Sequence, residues 1–146
     1  MLGNGIALQA VFFLALLLTA SVIDLRTRTI PNTINVLIAL TSFFVFEPLN
    51  LIGIFTALPF FLAAVFCGGM GGGDIKLMAA CGVVLGLPYG LFAEMLGLFV
   101  MLGFYATYCC IQKIRKAEIM KSFPLAPFLS IGCTIAYFIK LGGLNL

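Results

Sequence analysis

Two carboxylic acids stand where this sequence has little reason to keep charge. Asp24 closes the first long apolar stretch, and Asp74 stands in a glycine turn, Gly71-Gly72-Gly73-Asp74-Ile75-Lys76, at the mouth of another. An ionisable group at the depth of an apolar span is costly and is by default a functional candidate. Two carboxyl groups brought within hydrogen-bonding distance cannot both ionise readily, so one keeps its proton while the other stays an anion. The anion can draw a proton from water, and the acid can donate to a carbonyl oxygen. Those are the two tasks of peptide hydrolysis with water as nucleophile and neither metal nor covalent intermediate. Such a pair titrates as a unit.

Each acid also has a structural explanation. Asp74 is a good helix N-cap, with Gly71 and Gly73 supplying backbone freedom before the helix. The same glycines leave the approach to its carboxylate open to an extended substrate. Asp24 can serve as a topology anchor, paired with Arg28 four residues on if the helix continues one more turn. Lys76 binds substrate, lowers the apparent pKa of the pair or anchors its helix. The other acids are Glu47 and Glu94, expected at the opposite side, and Glu118 in a basic loop. Asp24 and Asp74 are then the one same-side pair at span ends.

Other chemistries are poorly served. Histidine is absent, which excludes Ser-His-Asp and Cys-His catalysis and an HExxH zinc site. The five cysteines, Cys67, Cys81, Cys109, Cys110 and Cys133, form no CxxC pair and fall in or at the ends of apolar runs. They read as small hydrophobes. Ser122 and Lys121 are adjacent and do not face each other on a helix, so a Ser-Lys nucleophile is not favoured. No cofactor and no metal are expected.

The elements that must position the acids are membrane spans. Of 146 residues, 63% are hydrophobic and 9% charged, and the mean hydropathy is +1.23. That is too little polar surface for a soluble domain of this size. Apolar stretches run over 6–23, 33–46, 51–67, 75–87, 91–111 and 125–141, giving an all-α, polytopic chain of about six transmembrane helices in one domain. The second and fourth are short for a bilayer that needs about 20 helical residues. No base precedes the first stretch, whereas Arg26 and Arg28 follow it; this is the reverse of a signal peptide, so the stretch reads as a retained span.

With both termini outside, seven of the eight basic residues fall in the inner loops, and Lys140 alone lies at the outer end. That is a strong positive-inside pattern, and it puts both aspartates at the cytoplasmic face. Pro48 and Pro88 are expected in tight outer turns. Gly82 and Gly86 have a small-xxx-small spacing, read as helix packing. The loop 112–123 has apolar positions Ile111, Ile114, Ala117 and Met120 at helical spacing, suited to lying on the inner leaflet. The net charge of +3 is too small and scattered to suggest nucleic acid.

Three patches, in order along nearly the whole chain, resemble the type IV prepilin peptidases. They are Asp24 with Arg28, Ile30, Pro31 and Asn32; the turn Gly71 to Lys76; and Phe123-Pro124-Leu125-Ala126-Pro127-Phe128-Leu129 with Ile131-Gly132. The G-x-G-D element also occurs in presenilin-like intramembrane proteases, which are usually much larger. The resemblance implies a multi-span aspartic endopeptidase of the inner membrane that cuts the basic leader from prepilins or pseudopilins at the cytoplasmic side. Asp24 and Asp74 would be its catalytic pair, with Gly71 and Gly73 shaping the loop that presents Asp74. Bifunctional members carry a cytoplasmic insertion with paired cysteines and methylate the cut pilin. Here the first inner loop, 24–32, has no such insertion, so the chain is similar to the short, peptidase-only form serving Flp-type pili. The alternative from another class is a small proton-coupled transporter or channel that uses the acid pair as a relay.

Overall fold

The computed structural model describes residues 2–67, 71–115 and 124–143, and among these no strand occurs. Helix α1 spans Leu2–Thr27 and α2 Asn32–Leu40, the latter tightening into a 3-10 helix over Thr41–Val45. A second 3-10 helix, Pro48–Ala57, runs on into α3, Leu58–Cys67. Then come α4 (Gly72–Leu85), α5 (Leu87–Arg115) and α6 (Ala126–Leu141). Each apolar stretch read from the sequence corresponds to one helical rod. Three rods, Gly3–Thr27, Pro48–Phe66 and Leu87–Arg115, are long and apolar enough to cross a membrane.

Turn chemistry sets the joints. Helix α1 stops where Arg28 takes a left-handed conformation (φ 54°), its N–H still donating to the Asp24 carbonyl at 2.9 Å. Pro31, extended at φ −62°, then sets the entry to α2. Between α4 and α5 the turn is made by Gly86 at φ 87°, a conformation open to glycine at little cost. Pro88 is therefore not in a turn, as its type suggested, but in the first turn of α5. Proline fits there because its ring presets φ and its missing N–H would have had no helical partner. The early start carries Glu94 into the helix, where it is 4% exposed rather than at an outer surface.

The 3-10 stretch between Pro48 and Ala57 was not visible in the hydropathy pattern. It lies against α4, where Gly53 and Gly82 approach so closely that a Cβ on either would collide with the other's backbone. The Thr56 hydroxyl lies 2.8 Å from the Gly53 carbonyl and 2.9 Å from that of Met78, and donates to one or the other. Gly82 is thus a packing residue, as expected of its spacing, whereas Gly86 serves the turn.

Buried Phe13, Leu17, Ile38, Leu77, Met78, Leu85, Leu129 and Tyr137 form the core between the helices. Outward faces carry Leu18, Phe43, Phe66, Phe99 and Ile114, each more than 60% exposed. An apolar exterior of this extent suits lipid, not water.

Polar contacts sort the helix ends into two groups. At one end Gln9 donates to the Thr41 carbonyl (3.1 Å), and Tyr137 donates to Gln9 Oε1 (3.1 Å). Lys140 there donates to the Val84 carbonyl (3.2 Å) and pairs with Glu47 (3.5 Å). At the other end Ala126 meets Asp24, and Lys76 meets Asn32. Consecutive rods therefore run in opposite directions, and Glu47 and Lys140 share an end away from both aspartates. Residues 68–70 and 116–123 lie outside the described residues, and with them Glu118, Lys121, Ser122, Phe123 and most of the basic amphipathic segment.

Candidate active site

Asp24 sits in the last turn of α1, 5% exposed. It makes no ion pair with Arg28 among the described residues, because the left-handed turn ends the helix before i and i+4 can stack. Its Oδ2 instead accepts the backbone N–H of Ala126, the first residue of α6, at 3.0 Å. One of the N–H groups left over at a helix start is thereby satisfied. Asp24 thus ties the first rod to the last. The partner lies 102 residues away, in the proline-flanked segment 124–127 that had stood out by resemblance alone.

Asp74 is the third residue of α4, not its cap. Gly71 is the N-cap, extended at φ −70° and ψ 131°, and the Asp74 N–H donates to its carbonyl at 3.1 Å. An acid in the first turn suits the positive end of a helix dipole. The glycines matter in two ways. A Cβ on Gly71 would stand 3.3 Å from Asp74 Oδ2, so glycine leaves that oxygen clear. A Cβ on Gly73 would stand 3.2 Å from the Cβ of Ile30. Gly73 therefore does not open the approach to Asp74; it lets the α1–α2 connection close against α4.

That close contact builds the site. Asp24, Arg28 and Ile30 from one side, and Gly71, Gly73 and Asp74 from the other, line a single cavity of about 260 Å³. Asp74 lies just ahead of the apolar run that begins at Ile75. Burial first, and the negative charge of Asp24 second, push its carboxyl up to about 6. Its Oδ1 is buried with no hydrogen-bond partner among the described residues. Two acids are thus held at one site with an acceptor left over, which is how a fold keeps a carboxyl protonated well above its ordinary range.

Lys76 is placed elsewhere. Its ammonium donates to Asn32 Oδ1 at 2.9 Å, joining α4 to the start of α2, and it is not part of the cavity wall. Ile30 and the N–H of Ala126 are the contributors that residue types did not disclose. The sequence signal for the first was the Ile30-Pro31-Asn32 triplet, and for the second the proline pair at 124 and 127. No cluster of His, Cys, Asp or Glu able to hold a metal occurs among the described residues.

Comparison with known proteins points the same way. The chain is 32% identical over 145 residues to a prepilin leader peptidase/N-methyltransferase of Bacillus subtilis (strain 168). The match covers 91% of this chain and 57% of the relative, so the chain spans little more than half the length of that protein. No solved structure matches. The residues that line the cavity fall within 11–139, the stretch matched by the family model, and the chain belongs to the type IV leader peptidase family.

Proposed function

We propose that this protein is a membrane-embedded aspartic endopeptidase that removes the basic leader from type IV prepilin-like proteins. The observation that carries the reading is that Asp24 and Asp74 line one cavity at the base-rich end of the helices. The pair holds one proton, and Asp74, whose carboxyl is held high by burial, is its bearer. Asp24 takes a proton from a water in the cavity as that water attacks the scissile carbonyl carbon. Asp74 gives its proton to the carbonyl oxygen, producing a neutral tetrahedral diol. Return of the proton from Asp24 to the amide nitrogen releases the amine, and the second diol proton goes back to Asp74. No metal or cofactor takes part.

Six spans with both termini outside bring this end to the cytoplasmic face of the inner membrane, following the positive-inside rule. A substrate with a basic leader and an apolar helix then offers its cut site at the depth of the two acids. The connection from α1 to α2 has no inserted cysteine-bearing segment, so we read the chain as peptidase-only, with any methylation of the product left to another enzyme. The test is incubation of purified wild type and Asp74→Ala with candidate prepilins, followed by mass spectrometry. Wild type should release a leader-sized fragment and the variant none. A transporter would cleave nothing, and cleavage retained in Asp74→Ala would overturn the assignment.

A further inference from the structure

Apart from the acid cavity, and sharing no residue with it, a groove of about 320 Å³ runs between α2, the 3-10 helix Pro48–Ala57 and α4. Its length is apolar, with Val36, Ala39, Ile54 and Val83 on the walls. Two polar features break that pattern. Lys76 stands at the base-rich end, its ammonium held by Asn32 Oδ1 at 2.9 Å, which occupies one of three donors. Asn35, one helical turn further in, lines the same groove, is 5% exposed, and has neither its amide nitrogen nor its oxygen hydrogen-bonded among the described residues. Lipid tails offer such an amide no partner, and an unmet buried amide is expensive.

We propose that this groove binds a glycerophospholipid with an anionic headgroup. Lys76 meets the phosphate with its two remaining N–H donors. Asn35 donates to the first ester carbonyl, and one acyl chain follows the apolar walls. The rise from Asn32 to Asn35 is about 4.5 Å along the helix, which suits the step from phosphate to ester in a glycerolipid. Both polar atoms of Asn35 are buried, so its side chain changes χ1 rotamer as the lipid enters, a cost offset by giving a partner to an amide that otherwise lacks one. Charge complementarity selects the headgroup: a lone lysine favours a net negative charge over a zwitterion. The ester contact is common to both lipid classes. The two residues therefore carry separate parts of the recognition, and neither part depends on the peptidase reading.

The test uses the purified full chain in neutral detergent with equal phosphatidylglycerol and phosphatidylcholine, read by native mass spectrometry and thermal melting. Wild type should retain phosphatidylglycerol about fivefold over phosphatidylcholine, the factor expected of one lysine at an anionic surface. Lys76→Gln, a change at an exposed site, should bring that ratio to about one. Asn35→Leu should weaken retention of both lipids while leaving the ratio near fivefold, and Ala79→Leu, which fills the groove, should do the same. Equal retention of the two lipids by wild type would overturn the proposal, as would wild-type behaviour in Lys76→Gln and Asn35→Leu. Thermal protection by glycerol phosphate equal to that by phosphatidylglycerol would also overturn it, by pointing to a free anion instead of a lipid.

Discussion

The two ends of the helical rods handle charge in opposite ways. At one end Lys140 and Glu47 are opposite charges, and Lys140 also donates to the Val84 carbonyl. At the other, Asp24 and Asp74 are like charges facing one cavity, and Asp74 keeps a buried oxygen without a partner among the described residues. Opposite charges lower each other's energy and close a structure. Like charges raise each other's energy and are retained where one of them must hold a proton. The chain thus has one end where an ion pair helps fasten three rods and another where like charges share a cavity and can react.

The most severe way to break this contrast is to remove either acid. Asp24→Asn and Asp74→Asn should each lower leader cleavage by at least about a thousandfold, as losses within a catalytic unit do, measured on protein that still inserts. A variant that kept near-normal cleavage would make the acid end merely structural.

Next comes pH. Because the Asp74 carboxyl is raised from 3.8 to about 6, the singly protonated pair is lost as pH climbs through that value. Cleavage should fall about tenfold per unit on the alkaline side, as a single essential acid dictates. The stability effect has the same sign. Between the unfolded and folded values the native state holds a proton that the unfolded chain has released, so stability falls as pH rises across this window. Melting of Asp74→Asn should lose the Asp74 share of that dependence, whereas a variant at Glu47 should keep it.

A smaller change sharpens the comparison. Gly73→Ala puts a methyl against Ile30 and should cost roughly tenfold to a hundredfold in cleavage by shifting Asp74, with little loss of melting temperature. The smallest effect belongs to the ion-paired end. Glu47 is 54% exposed at its side chain, so Glu47→Gln should cost at most about 1 kcal/mol and leave cleavage unchanged. A large loss of activity there would erase the distinction between the ends.

Several of these features were legible before any coordinates. Runs of apolar residues marked six helical rods because a lipid-facing helix needs little else, and the asymmetry of Arg and Lys sorted their ends. Gly82 declared its packing role through spacing. Other features had only a partial signal. Asp74 resembled a cap because caps and first-turn acids share composition, and only the backbone dihedrals give the cap to Gly71. Pro88 resembled a turn because proline suits both a turn and a helix start. The 3-10 stretch over Pro48–Ala57 left no hydropathy signal, because its tighter winding comes from contact with α4.

What the sequence determined by itself, then, was local and one-dimensional: which segments are helical, which of their ends carry base, and which two acids have no ordinary reason to be there. Tertiary structure decided what those acids face. The N–H of Ala126 reaches Asp24 across 102 residues, and Ile30 fits against Gly73 because no side chain stands in its way. Such contacts depend on how three separate helices pack. Packing is a property of shape summed over the whole fold, which no short stretch of residues encodes alone.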